Sequence, residues 1–173
     1  MKIIFVRRRW ILLWREKRGE ALIEALIAIT IIVVGLLGMY SLLSRSLSLT
    51  RVVTDRYVAA NLASEGIEVV KNIIDTNDVE LKPWNQNLSS KGDYEVAYNS
   101  VELGPFLGRN LFYNLATGLY SYDVLGTRTN FVRKIILEPI NSEEIKVNSI
   151  VSWLSRGGAV FEINLEDHFF NSK

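Results

Sequence analysis

The sequence predicts an α+β protein in which a long N-terminal helix, membrane-spanning in its first half, packs its second half on an antiparallel β-sheet head. Three observations predict it. Twenty consecutive uncharged residues run from Ala25 to Ser44 (ALIAITIIVVGLLGMYSLLS). Apolar residues then recur at steps of three and four as far as Ile74, and after Pro83 the period changes from helical to two-residue alternation.

The apolar run is the first element. At 1.5 Å per residue a helix of this length covers ~30 Å, the thickness of a bilayer's hydrocarbon core. Before Gly19 stand Lys2, Arg7, Arg8, Arg9, Arg15, Lys17 and Arg18 against the single acid Glu16. The positive-inside rule therefore keeps Met1–Gly19 in the cytoplasm and carries everything after Ser44 across the cytoplasmic membrane.

Beyond the span, Val53, Tyr57, Ala60, Ala63, Ile67, Val70 and Ile74 form a stripe that needs a partner. No proline interrupts Glu20 to Ile74, and Asp75, Thr76, Asn77 and Asp78, with Pro83 shortly after, supply the stop. The expected division is a basic leader over 1–19, a helix over 20–74 of roughly 80 Å if unbroken, with 20–44 its membrane half, and a head over 75–173.

The head supplies the stripe's partner. Phe131, Arg133, Ile135 and Leu137 alternate with Val132, Lys134, Ile136 and Glu138, the pattern of a strand with considerable burial. Ile145, Val147, Ser149, Val151 and Trp153 form another. Ser155–Arg156–Gly157–Gly158 then makes a turn before Val160–Leu165 returns, the glycines permitting positive φ in a tight hairpin. Asp93–Tyr98, Leu111–Leu115 and Leu119–Tyr122 are further strand candidates, the last two joined by Ala116–Thr117–Gly118.

Composition narrows the chemistry. The 173 residues are 49% hydrophobic and 23% charged, one ordinary domain with an apolar excess. Twenty basic and nineteen acidic residues leave a formal charge of +1, which gives no indication of nucleic-acid binding. There is no cysteine, hence no disulfide framework and no thiolate metal site. The only histidine, His168, removes Ser-His-Asp and two-histidine sites. No catalytic, metal or cofactor-binding constellation stands out, and a non-enzymatic role is expected.

The residues entering the span read Lys17-Arg18-Gly19-Glu20-Ala21-Leu22-Ile23-Glu24-Ala25-Leu26-Ile27-Ala28, and they resemble the processing site of type IV prepilins and type II secretion pseudopilins. The resemblance implies a pilin-like fold. It also implies cleavage by a prepilin peptidase between Gly19 and Glu20, N-methylation of the new terminal amine, and a glutamate, Glu24, as fifth residue of the mature chain. Glu20 stands where the family usually has an aromatic residue or methionine.

Glu24 has independent interest, because a carboxylate inside an apolar span costs about 3 kcal/mol or more unless paired or interfacial. Cleavage would leave a mature amine one helical turn away, and a neighbouring subunit's amine could supply the opposite charge. The other reading is a self-contained carboxylate at a helix N-terminus. Gly35 and Gly38 allow close helix approach or local loosening, or are ordinary glycines of a membrane span. Trp10–Trp14 forms an aromatic patch that lies at the membrane surface before cleavage or is an unselected part of the leader.

A looser resemblance covers Ala63–Asn72 and Leu165–Asn171, which look like minor-pilin-like proteins carrying a prepilin methylation signal. Glu65, Glu68 and Lys71 have the spacing of surface ion pairs on a solvated face, and His168 is expected to be a surface or terminal packing residue.

The leading reading is a structural, minor-type subunit of a type IV pilus-like or pseudopilus filament. Its expected partners are a prepilin peptidase, other pilin or pseudopilin subunits and the membrane, and DNA uptake by such a filament stays open. Its place is the membrane and then a cell-surface or envelope filament. The alternatives are a permanently anchored single-pass binding protein, a membrane-tethered enzyme, and a secretory signal peptide, for which the apolar run is long and lacks a small-x-small exit site.

Overall fold

Helix α1 spans Arg9–Val79 in the computed structural model, which describes residues 9–155 and 157–171. Residues 1–8 of the leader, the side chains of 9–18 with the Trp10–Trp14 patch, and Arg156 of the hairpin turn lie outside the described residues. The chain divides into two compact units after Arg51, so residues 52–79 of α1 belong with the sheet.

Seven antiparallel strands follow: β1 (Gly92–Glu95), β2 (Gly104–Pro105), β3 (Asn110–Tyr113), β4 (Tyr120–Ser121), β5 (Thr127–Asn141), β6 (Glu144–Leu154) and β7 (Val160–Phe170). The fifteen-residue β5 organises them. One side of it pairs with β6 from Phe131 to Asn141. The other side takes β3 at its N-terminal half and β1 at its C-terminal half. Strands β2 and β4 extend β1 and β3, and β7 lies beyond β6. The architecture is the pilin-like α+β arrangement: one long apolar N-terminal helix and a curled antiparallel sheet.

Alternation in β5 decides which side chains meet the helix. Phe131, Arg133, Ile135 and Leu137 face inward, opposite Trp153, Val151, Ser149 and Val147 of β6. Two apolar clusters result. Ala59, Leu62 and Ala63 of α1 pack with Leu111, Phe131, Val151 and Trp153. Val69, Val70, Ile73 and Ile74 pack with Trp84, Leu88, Val96, Ile135, Leu137, Ile145 and Val147. Each fully buried aliphatic or aromatic side chain contributes about 1.5–3 kcal/mol.

The helix presents a face rotated from the expected stripe. Ala63, Val70 and Ile74 are buried, but Val53 and Tyr57 are 65% and 69% exposed, and Ala60 and Ile67 are only half-buried. Small residues win the contact because they let the helix approach closely. At Gly66 an added Cβ would lie 2.4 Å from Ser149 Oγ and 2.9 Å from Ile135 Cδ1.

The helix also runs five residues past Ile74. Asn77 is buried and its Nδ2 donates to the carbonyls of Trp84 (3.2 Å) and Gln86 (3.0 Å), so this polar residue anchors the exit loop and does not break the helix. Leu81, at φ 58°, makes the left-handed step that ends it, with Lys82 N–H donating to Asn77 O.

The hairpin of β6 and β7 turns through Gly158 at φ 80°, with Ser155 N–H donating to Ala159 O. β7 continues to Phe170, five residues beyond the expected Leu165. Strands β1, β3 and β4 occur where alternation placed them but are shorter, and β2 had no periodic signal to announce it.

Candidate assembly surface

Residues 19–50 of α1 are exposed throughout. The helix is long and apolar enough to cross a membrane, with a mean hydropathy of 2.6 in its most apolar window, none of which is buried. A helix satisfies its own backbone polar groups, so its apolar side chains remain available for lipid or for other helices. Thr30 and Thr50 fold their hydroxyls back onto the carbonyls of Leu26 and Ser46, which removes two polar groups from the surface.

Gly19, Glu20 and Glu24 all lie on this helix and are exposed. Glu20 and Glu24 are one turn apart and project from one face. With α1 beginning at Arg9, Glu24 of the uncleaved chain is ~four turns from the helix start, out of reach of the N-terminal dipole. Gly35 and Gly38 also lie one turn apart, and an added Cβ at Gly19, Gly35 or Gly38 would meet nothing within 4 Å. Within one chain these residues are open surface.

The head holds a polar interior that sequence reasoning missed. Arg133 is wholly buried between the two apolar clusters. Its Nη1 donates to Leu62 O (2.9 Å) and Glu65 Oε1 (3.1 Å), and its Nη2 donates to Val96 O (2.6 Å). One guanidinium thereby ties α1, β5 and the segment after β1 together. Glu65 was expected on a solvated face with Glu68 and Lys71. Instead it turns to Arg133, because a buried guanidinium needs a counter-charge, and among the described residues no ion pair joins it to Lys71. The signal was present in parity alone, since Arg133 shares the odd-numbered face with Phe131, Ile135 and Leu137.

A buried carboxylate, Glu95, accepts from the backbone N–H groups of Leu107 (2.9 Å) and Arg109 (3.0 Å) and pairs with the Arg109 guanidinium at 2.8 Å. Arg109 in turn lies 4.5 Å over the Tyr122 ring. Burial pushes the Tyr122 hydroxyl up to about 12, against the lowering effect of Arg133. Glu95 pins the loop leading into β3, which a local pattern could not reveal.

On the outward face Glu138 sits between Lys91 and Lys146, whose hydrogen bonds and charge lower its pKa to about 2. The stabilisation is full above the ordinary carboxylate range and is lost as pH falls from there through about 2. His168 is exposed at the sheet margin, as expected, with Nδ1 2.7 Å from Glu144 Oε1; that bond, chiefly, raises its pKa. This pair stabilises in acid and is lost as pH rises through the raised value.

Among the described residues no group of three or more His, Cys, Asp or Glu side chains is placed to hold a metal ion. A cleft of about 240 Å³ lined by Tyr98, Asn114, Thr117, Ser121, Tyr122 and Asp123 is small for a ligand pocket. Comparison with known proteins returns no match: no family model, no curated protein and no solved structure matches the chain.

Proposed function

We propose that the chain is a structural, minor-type subunit of a type IV pilus-like or type II secretion pseudopilus filament. One observation carries the reading. The Gly19-Glu20 bond and Glu24 stand at the head of an exposed apolar helix whose continuation carries an antiparallel-sheet head. A lone span needs only hydrophobicity, and the carboxylate at Glu24 works against insertion. It is accounted for if each Glu24 meets the mature amine of another subunit, so that docking is favoured in the register that joins them.

In this reading Met1–Gly19 is a cytoplasmic leader that a prepilin peptidase removes, with methylation of the Glu20 amine. Residues 20–44 hold the subunit in the membrane and then join the helical core of the filament, with Gly35 and Gly38 permitting close helix contact. The head is exported and lies on the outside.

Co-expression with a prepilin peptidase is expected to shorten the chain by nineteen residues, with Glu20 as the N-terminus on sequencing. Gly19→Ala should suppress the shift. A wild-type chain that keeps its leader under these conditions is a permanently anchored single-pass protein, and the filament reading falls.

Glu24→Gln retains shape and removes charge. The variant should be cleaved and inserted normally, with a folded head, yet be depleted from sheared filaments and from cross-links to neighbouring subunits. Incorporation equal to wild type at matched expression would leave the charge pair without support.

A further inference from the structure

Strand β7 forms one margin of the sheet and pairs with β6 alone. The pairing pattern tells which of its backbone groups are used. Ser155 N–H donates to Ala159 O and Asn171 N–H to Glu143 O, flanking a register that runs unbroken from Leu154↔Val160 to Glu144↔Phe170. Hydrogen-bonded pairs therefore fall on odd-numbered residues of β7. The N–H and C=O groups of Val160, Glu162, Asn164, Glu166, His168 and Phe170 point away from the sheet, and their side chains are all exposed.

Of these six N–H groups only that of His168 has a partner among the described residues, its neighbour Asp167 Oδ1 at 2.9 Å. Edges of this length are ordinarily blunted by charged side chains, lysine above all, by proline or by a bulge; β7 has no lysine, proline or bulge, and its charges are the acidic Glu162 and Glu166 on the outward side and Asp167 on the inward side. The opposite margin consists of the two-residue strands β2 and β4, too short to cover it.

The edge is complementary to itself. Laid antiparallel on a second copy with Leu165 at the centre, every residue from Val160 to Phe170 finds a partner. Glu162 then faces His168, Asn164 faces Glu166 and Val160 faces Phe170 on the outward side. On the inward side Phe161 faces Phe169 and Leu165 faces itself. Moving the centre to Asn164 sets Glu162 against Glu166, and moving it to Glu166 sets that carboxylate against its own copy, both unfavourable. One pair opposes the full-length register: Asp167 faces Ile163 and must release His168 N–H.

We infer that β7 is a self-pairing edge through which two copies of this chain join antiparallel over Val160–Phe170. The two-fold axis of such a pair is perpendicular to the sheet, so residues 52–79 of α1 run in opposite directions in the two heads. Neighbours within one filament share a direction. The pairing therefore bridges separate filaments, a consequence that rests on the filament reading, whereas the pairing itself does not.

The chain has no cysteine, so introduced thiols report the register without background. Full-length chains carrying Glu162→Cys and His168→Cys, separately tagged and solubilised in detergent, are mixed and mildly oxidised. In the inferred pair these positions lie about 5.5 Å apart at Cα, within disulfide range, while like positions are ~20 Å apart. The second Glu162–His168 contact stays intact. The mixed disulfide should exceed either like-with-like product by on the order of tenfold, given those separations.

Asn164→Pro, which removes an outward N–H, no backbone bond to β6 and only the side-chain bond donated by Asn148 Nδ2 (3.2 Å), should abolish the product while the head keeps its protease resistance. Equal yields of mixed and like products, or none, overturn the inference, as does a mixed disulfide that survives Asn164→Pro in a folded head. Should that variant unfold, the comparison of mixed with like products decides alone.

Discussion

Arg133→Ala is expected to destabilise the head by about 2–5 kcal/mol, the range found when a long, fully buried side chain is cut back to alanine. The change strips the counter-charge from Glu65, removes the donor to Val96 O, and opens a void between the two apolar clusters. Against a typical domain stability of ~5–15 kcal/mol, this is enough to populate unfolded heads. Urea unfolding of the full-length chain in detergent, followed by protease sensitivity, provides the measurement.

Arg133→Lys should recover only part of the loss, because one ammonium cannot reach Leu62 O, Glu65 and Val96 O together. Arg133→Met should cost less than Arg133→Ala, since it fills the void and Glu65 is exposed enough to turn to water. An Arg133→Ala midpoint equal to wild type would mean that packing alone joins α1 to β5.

Gly66→Val is expected to lower stability by about 1–3 kcal/mol or more through overpacking. The first added carbon already falls 2.4 Å from Ser149 Oγ, 2.9 Å from Ile135 Cδ1 and 3.2 Å from Arg133 Cδ, and valine adds two methyl groups beyond it. Gly66→Ala is the milder case, because alanine regains roughly 1 kcal/mol of helix propensity that offsets part of the clash.

Ser149 provides the rescue. Its hydroxyl is buried with no hydrogen-bond partner among the described residues, so Ser149→Ala should be neutral or slightly stabilising. Combined with Gly66→Ala it should restore much of the loss, leaving only the shift required of Ile135. Thermal melting of the four chains tests this cycle, and an unchanged melting temperature for Gly66→Val would show that the helix does not make its closest approach here.

Both positions show where local reading stops. Arg133 was visible as the one charge on the inward parity of β5, yet nothing near it in the chain identifies Glu65, sixty-eight residues earlier, as its partner. Gly66 carried no turn signal, and its requirement for a missing Cβ exists only because Ser149 and Ile135 arrive against it. The candidate assembly residues behave oppositely. Gly19, Glu20 and Glu24 were singled out by order, spacing and resemblance, and a single chain leaves them on open surface, since the partners proposed for them are other molecules.

What the sequence determined by itself is what depends on short-range pattern: the apolar span from Ala25 to Ser44, the strand alternation of β5 and β6, and the glycine turn at Gly158. These follow from helical and strand periodicity and from φ preferences, which act over a few residues. Tertiary structure decided which face of α1 is buried, turning Val53 and Tyr57 outward in favour of Ala59, Leu62 and Gly66. It also decided that Glu65 serves Arg133, that Asn77 anchors the exit loop while the helix continues to Val79, and that β7 extends to Phe170. Asn77 reaches carbonyls seven and nine residues on; the others rest on distance and hydrogen bonding between residues farther apart in the chain, where the closest approach of two surfaces, and the need to pair a buried charge, outweigh any preference written locally.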